Sequence, residues 1–201
     1  MNAMGYDAMA LGAGDLSMGL DAIRQRQAEA RFPFLSANAV VSGTTELVAT
    51  PYITREIGSL RVVILGLSDR GTAPTPGIQV TDPVAGASRV ILETRNWADL
   101  VILLSHATRP LDKAIGATVP GIDWIMEGSL SPQTLKPLMA GKTSIVQADY
   151  PSPSHAGRVY GLAKLVYDAN RQLSASEWTS AGLSPDVKDD PDMAKLVEQW
   201  R

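Results

Sequence analysis

The chain has 201 residues, with 18 Lys plus Arg against 21 Asp plus Glu, two His and no Cys. That length is enough for one domain with a proper hydrophobic core. The formal charge of −3 gives no general attraction to nucleic acid or to anionic membranes, so neither is expected as a partner. A chain without Cys has no disulfide, thiolate metal site, Fe–S cluster or cysteine nucleophile. With only His106 and His155, a histidine-built metal site is improbable.

The first third of the chain predicts short strands around one helix. Residues 8–11 are an apolar run that ends in Gly12-Ala13-Gly14, which predicts a buried strand running into a tight turn. Asp15 or Ser17 can cap a following helix that extends to Ala30. A strand resumes over 32–36, and residues 52–57 and 60–66, separated by Gly58-Ser59, predict a hairpin.

The remainder alternates between strands and helices. Thr81-Asp82-Pro83 predicts a helix start, because a capping residue precedes Pro in the first turn. The later predicted elements are strands over 99–104, 122–126, 143–147 and 158–167, a helix near 111–116, and a last helix from Asp190 through Trp200. The alternation indicates an α/β layered fold. The longest uncharged apolar run, Leu100 to Leu104, is far too short to cross a bilayer.

Three predicted strand ends carry the candidate site residues. In an open α/β sheet, ligands bind beyond the carboxyl ends of the strands. His106 follows a buried strand and is the best candidate for a ligand or an acid–base group; a histidine that is merely hydrogen-bonded at a strand end is an equal alternative. Asp15 and Glu127 are weaker catalytic candidates, since acidic residues at strand ends are usually caps or solvated groups.

Two further patterns have weaker chemical interpretations. Gly12-Ala13-Gly14 could form a phosphate loop, but it lacks a third Gly and a Lys, so a plain turn is favoured. A nucleophilic Ser129 or Ser131 would have only His106 or the distant His155 as a base, and nothing in the sequence brings either one close. His155 itself lies in a Pro/Ser-rich loop, where an exposed position is expected.

Residues 5–12 and 19–21 resemble a conserved segment of the 5′-nucleotidase and UDP-sugar hydrolase branch of the calcineurin-like metallophosphoesterases. The similarity continues in order over 32–38, 98–106, 119–123, 157–161 and 190–200. The resemblance implies a layered sandwich of mixed β-sheets flanked by helices. It also implies that residues 1–201 form a single, partial domain without the family's C-terminal nucleotide-binding domain.

The chain departs from that family at the metal-binding motifs. Where the family has Asn-His-Glu, this chain has Ala13-Gly14-Asp15, and where it has Gly-Gly-His-x-His, this chain has residues 127–131, with Ser129 and Ser131 in place of the imidazoles. Of the implied ligands within this span, only His106 remains, as a vestigial or partial metal site. Serine is a poor ligand beside imidazole or carboxylate. No cofactor is therefore expected; an active site would need two divalent metals such as Mn or Zn.

The family also begins with two strands, ending in Asp-x-His and Gly-Asp, ahead of the segment that Met9 belongs to, and no Asp-x-His occurs in this chain. A sandwich missing its first strands exposes apolar faces and unpaired edges. We therefore expect a homo-oligomer, or a partner subunit that supplies the missing strands. The resemblance implies a periplasmic or exported location if the chain is a fragment of a longer precursor, and a cytoplasmic one if Met1 is the true start.

Three functions follow from the resemblance and its departures. The first is a non-catalytic domain with a structural or binding role. The second is a metal-dependent hydrolase of nucleotides or other phosphate esters whose remaining ligands lie in a segment outside this chain. The third is binding of a small phosphorylated ligand without turnover, with Trp124, Tyr150 or Tyr160 as stacking groups, although core packing is the favoured role for these aromatics.

Overall fold

A six-stranded mixed sheet lies at the centre of the protein. The computed structural model describes residues 1–69, 71, 74–128, 131–149 and 158–199. In spatial order the strands are β4 (Tyr52–Ile57), β5 (Leu60–Leu67), β7 (Leu100–Ser105), β8 (Trp124–Glu127), β10 (Thr143–Val146) and β9 (Leu138–Ala140). The inner four strands run parallel, and the two edge strands are antiparallel to their neighbours. The parallel strands are rich in branched apolar residues because both of their faces are covered.

Two helices cover one face of this sheet. Helix α3 (Pro83–Thr94) begins where the Asp82 carboxylate accepts a hydrogen bond of 2.8 Å from the Ala85 amide. Helix α4 (Arg109–Thr118) follows β7 directly. The apolar stripes of both helices pack on the sheet and form the main core, which includes Val63, Leu65, Leu67, Val90, Ile91, Val101, Leu103, Ile115, Ile125 and Ile145.

Two separate strand pairs cover the opposite face. The parallel pair β1 (Met9–Ala10) and β2 (Phe34–Leu35) packs over β5 and β7, and the antiparallel hairpin β11 (Val159–Tyr167) and β12 (Leu173–Gly182) packs over Val62, Leu100, Trp124 and Val146. The layers approach closely at Gly66, where a Cβ atom would lie 2.6 Å from the Cβ of Leu35. The chain is thus a helix layer, a sheet and a second strand layer, as predicted.

The remaining elements lie around the β1–β2 pair and at the C-terminal end of the described chain. They are a 3₁₀ turn (Asn2–Met4), α1 (Ala13–Ser17), α2 (Leu20–Glu29), the antiparallel pair β3 (Ala39–Val41) and β6 (Ile78–Val80), and α5 (Pro191–Glu198). Helices α1 and α2 pack with Phe32, Phe34 and Ile78 in a second core. Within the described ranges, no helix combines the length and apolarity needed to span a bilayer.

Several predicted elements differ from the structure. The single helix expected up to Ala30 is two helices, because Gly19 has a φ of +84° and interrupts the helical path. The plain turn expected at Gly12-Ala13-Gly14 is wrong, since α1 starts at Ala13. Four strands, β3, β6, β9 and β12, were not predicted. The predicted loop at Tyr150 and the end of the last predicted helix, Trp200, lie outside the described residues.

Candidate functional site

His106 lies in a slot between two glycines at the carboxyl end of the sheet. Its backbone amide donates to the Leu67 carbonyl at 3.0 Å, which extends the pairing of β5 with β7 by one residue. A Cβ atom at Gly12 would lie 2.8 Å from the Cε1 atom of the His106 ring, and a Cβ atom at Gly128 would lie 3.1 Å from it. Only glycine at these two positions leaves room for the imidazole. The end of β1, the end of β7 and the residue after β8 therefore meet at one place.

The charge state of His106 follows from its surroundings. Burial lowers the pKa of His106 from its usual 6.5, and the negative charges of Asp15 and Asp69 oppose that shift without cancelling it. The ring is therefore mainly neutral at pH 7, with one nitrogen as a donor and the other as a lone pair. A neutral imidazole is the form that coordinates a metal or accepts a proton.

Asp15 closes the first turn of α1. Its Oδ2 atom accepts a hydrogen bond of 2.8 Å from the Gly12 amide, in the manner of an acidic cap. Its two neighbours in α1 offer no ligand atom: Ala13 has only a methyl group, and a Cβ atom at Gly14 would meet nothing within 4 Å. This helix start occupies the position where the family has Asn-His-Glu. It therefore presents open space where that motif has an imidazole.

Glu127 points away from this space, into a buried polar cluster beneath the strand ends that also contains Arg109, Asp112 and Ser105. The side chain of Glu127 is 0% exposed and accepts hydrogen bonds from the Arg109 guanidinium, at 2.9 Å from Nε. Arg109 also donates to the Pro132 carbonyl. The Glu127 carboxylate is thus held by Arg109, and the catalytic role considered for it from the sequence stays a prediction.

Asp112, from α4, provides the second carboxyl group of the buried polar cluster. It is fully buried, and its Oδ1 atom accepts a hydrogen bond of 2.6 Å from the Ser105 hydroxyl. Burial, together with the neighbouring Glu127, raises the pKa of Asp112 to about 8. Two adjacent carboxyl groups cannot both ionise cheaply. Asp112 is therefore protonated at pH 7 and its hydroxyl is a donor toward Glu127.

The buried polar cluster positions the turn that carries His106. Ser105 Oγ donates to Asp112 and accepts a hydrogen bond of 3.0 Å from the Ala107 amide, so the residues on both sides of His106 are fixed. Asp69, Arg109 and Asp112 were not predicted from the sequence as residues of this site. Asp69 follows the end of β5 and would have been found by the strand-end argument that identified His106; a charged residue on the inner face of the predicted helix was the signal for Asp112.

Of the two serines that replace the family's imidazoles, Ser131 is among the described residues and Ser129 is not. Ser131 is buried at 7% exposure, which leaves little surface for a nucleophile. Ser129 and His155, and with them any pairing between the two side chains, lie outside the described residues. Trp124 is 2% exposed and packs in the core, as the favoured interpretation of that aromatic predicted.

The described donors do not fit a two-metal centre. Among residues 1–69, 71, 74–128, 131–149 and 158–199, no group of three His, Cys, Asp or Glu side chains is placed to hold a metal ion. Of the polar groups at the strand ends, Asp15 is bound to a backbone amide and Glu127 to Arg109. Among the described strand-end residues, His106 and Asp69 are not engaged in such hydrogen bonds, and one imidazole with one carboxylate is too few for two cations.

Comparison with known proteins gives relatives of one kind. No protein-family model matches the chain. Protein UshA of Yersinia enterocolitica is 30% identical over 129 residues, which cover 60% of this chain and 24% of UshA. Human 5′-nucleotidase is 27% identical over 225 residues, covering 100% of this chain and 39% of that protein. The chain thus spans about a quarter to two fifths of the length of these curated relatives.

Solved structures share the fold over nearly the whole chain. The sulfate thiohydrolase SoxB of Thermus thermophilus superposes with a TM-score of 0.86 at 20% identity, over 99% of this chain and 37% of SoxB. A 5′-nucleotidase precursor from the same organism gives a TM-score of 0.77 at 24% identity, over 97% of this chain and 42% of that one. The fold and the resemblance predicted from the sequence are both confirmed.

Proposed function

Since the chain is a relative of the 5′-nucleotidase and UshA branch of the calcineurin-like phosphoesterases, we propose that it is a non-catalytic domain of that type with a structural or binding role. The observation that carries this proposal is the state of the strand ends around His106. The framework that holds His106 is intact, while the positions next to it, Ala13 and Gly14, have no ligand atoms.

The chemistry of phosphate-ester hydrolysis supports this conclusion. A two-metal site clamps the phosphoryl oxygens and generates the hydroxide nucleophile, which requires several anionic or imidazole ligands around each cation. Here Asp15 and Glu127 are engaged in structural hydrogen bonds. A neutral His106 between two glycines provides one ligand and no anionic bridge.

One observation favours the alternative, a metal-dependent hydrolase completed by residues outside this chain. The glycine slot still orients the His106 ring, and the carboxylates of Asp15 and Asp69 are close enough to act on its charge. Ligands brought by another segment would meet His106 in a suitable position. Metal binding by the chain as it stands separates the two functions.

The test compares the two histidine variants of the full chain. His106→Ala removes the slot histidine, and His155→Ala is the matched control because it removes the only other histidine. The two variants and the wild-type chain are equilibrated with Mn²⁺ or Zn²⁺ and desalted. Elemental analysis is expected to give far less than one metal per chain for all three proteins. Hydrolysis of p-nitrophenyl phosphate is expected to be equal to that of buffer with metal. Stoichiometric metal and turnover, both lost in His106→Ala and kept in His155→Ala, would overturn the proposal.

The binding role is placed at a groove in the second strand layer. The β1–β2 pair lies over β5 and β7. On the same face, β12 lies near the chain just before the edge strand β9, where the Trp178 indole donates to the Thr134 carbonyl at 2.9 Å. Between these strand pairs, Ile64, Ile102 and Met126 are only half-buried. Among the described strands, β1 pairs with β2 alone and β11 with β12 alone.

An extended segment from another polypeptide fits this groove best. Its backbone would pair with free strand edges, and its alternate side chains would cover the half-buried apolar residues. The dye ANS tests whether the groove is open: its fluorescence should rise with the wild-type chain and fall with Ile102→Glu. Ile57→Glu, which adds the same charge to a residue already 62% exposed, is the matched control. Equal dye binding by both variants, with circular dichroism unchanged, would contradict an open groove.

A further inference from the structure

The outer face of the β11–β12 hairpin carries large apolar side chains that are exposed among the residues that the structure describes. The inner face packs on the sheet through Ala163, Leu165, Tyr167 and Trp178. Side chains alternate along a strand, so the intervening residues face outward. Three large ones lie on β11, where Tyr160 is 50%, Leu162 56% and Val166 43% exposed. A solvated sheet face is normally polar, so this pattern indicates a contact surface.

The register of the hairpin places each of these three large apolar residues of β11 beside a small residue of β12. The cross-strand pairs on the outer face are Tyr160 with Ala181, Leu162 with Thr179, Lys164 with Glu177, and Val166 with Ala175. Large side chains therefore form a ridge along β11, and small side chains form a shallow groove along β12. The only opposite charges on this face, Lys164 and Glu177, lie directly across from each other within the paired segment.

We propose that this face binds a second copy of the chain, face to face, around a two-fold axis parallel to the strands and midway between β11 and β12. A rotation about that axis lays the β11 ridge of each copy into the β12 groove of the other. It also sets Lys164 of one copy against Glu177 of the other. Such a self-complementary patch is what a two-fold interface requires.

The alternative axis, perpendicular to the strands, is disfavoured by the same residues. It would place β11 over β11, so that Leu162 and Val166 meet large side chains and Lys164 meets Lys164. Like charges and unmatched ridges exclude a pairing as effectively as good contacts select one. The pattern of charge and size thus specifies one orientation of the second copy.

The expected dimer is weak. One face of only two strands per copy offers less than the roughly 800 Å² per partner of a standard stable interface. Dimerisation should therefore depend on concentration in the micromolar to millimolar range. The proposal uses only the outer face of the hairpin, which belongs neither to the His106 site nor to the groove between the strand pairs, so it stands or falls independently of the proposed function.

Charge reversal with sedimentation velocity tests the orientation. Lys164→Glu and Glu177→Lys should each weaken dimerisation of the full chain by about tenfold or more, since each places like charges across the interface. An equimolar mixture of these two variants should dimerise again, because every Glu of one then faces a Lys of the other. Lys142→Glu, at the remote turn between β9 and β10, changes net charge equally and should leave the dimer unchanged.

A second measurement does not depend on charge. The chain has no Cys, so a mixture of Leu162→Cys and Thr179→Cys proteins can be joined with a short bis-maleimide. The mixture should cross-link faster than either protein alone. Any of three results would overturn the proposal. The wild-type chain stays monomeric throughout the concentration series, the Lys164→Glu chain dimerises like wild type, or the mixture of the charge variants stays monomeric.

Discussion

Replacement of Asp112 by Asn tests the protonation of the buried carboxyl group beneath His106. In the native chain, Asp112 accepts from Ser105 at 2.6 Å and lies beside Glu127. An amide of nearly the same shape can accept from Ser105 through its oxygen and donate to Glu127 through its nitrogen. Asn is therefore a permanent mimic of the protonated acid, without the cost of ionising it in a buried position.

The magnitude follows from the two pKa values of Asp112. Its pKa is about 8 in the folded chain against the usual 3.8, so folding takes up a proton between those values. For a group whose pKa is raised by folding, the stabilising contribution is complete below the unfolded value and is lost as the pH rises toward the folded one. Each unit corresponds to about 1.4 kcal/mol, which sets a ceiling on the order of 6 kcal/mol. With relaxation of the site, we expect Asp112→Asn to be about 2–4 kcal/mol more stable at pH 8 than wild type.

Urea unfolding followed by circular dichroism between pH 4 and 9 measures this difference. The curves for Asp112→Asn and wild type should be close at pH 4 and should separate as the pH rises to about 8. Asp112→Ala is the matched control: it also removes the acid but leaves Ser105 without its acceptor, so it should be destabilising at low pH. A stability difference between Asn and wild type that does not change with pH would show that Asp112 is ionised throughout, and would refute the reasoning.

Three glycine substitutions give further expectations. Gly128→Ala should displace the His106 ring, because the new Cβ would lie 3.1 Å from Cε1. It should lower the free energy of unfolding, measured in urea, by about 1–3 kcal/mol. Gly14→Ala, whose Cβ meets nothing within 4 Å, should be neutral or stabilising by up to about 1 kcal/mol. An equal loss for both would contradict the slot. Gly66→Ala, whose Cβ would lie 2.6 Å from Leu35, should lower the thermal midpoint more than either, and a midpoint within a degree of wild type would contradict the close layer contact.

Much of the fold could be predicted because its central strands carry an unambiguous signal. Residues 60–67 and 100–105 are almost entirely apolar, as strands covered on both faces must be. Helix starts were equally clear where a capping Asp precedes Pro: the carboxylates of Asp82 and Asp190 accept from backbone amides in the first turn. Each of these features depends on neighbours within a few residues, which the sequence displays.

The failures concern elements whose stability comes from distant partners. Strand β12 contains Ser174, Ala175, Ser176 and Ser180, a composition typical of loops, and it forms because it pairs along the whole of β11. The Asp112–Glu127 contact was hidden for a similar reason. It requires Ser105 and Glu127 to be register partners in adjacent parallel strands, and register between strands joined by a helix cannot be read from local patterns.

Glu127 stands where the resemblance has a glycine, and its burial is tolerable only because of Arg109 and the protonated Asp112. The exposures of the ion pair are unequal: the Arg109 side chain is 17% exposed and that of Glu127 is 0% exposed. Arg109→Ala leaves a fully buried carboxylate without its cation, which should cost about 3–5 kcal/mol. Glu127→Gln leaves an arginine that still donates to the Pro132 carbonyl and reaches water, so its cost should be clearly smaller. Urea unfolding of both single variants and of the double variant measures the asymmetry; equal losses for the two singles would mean that the buried carboxylate is not the costly member of the pair.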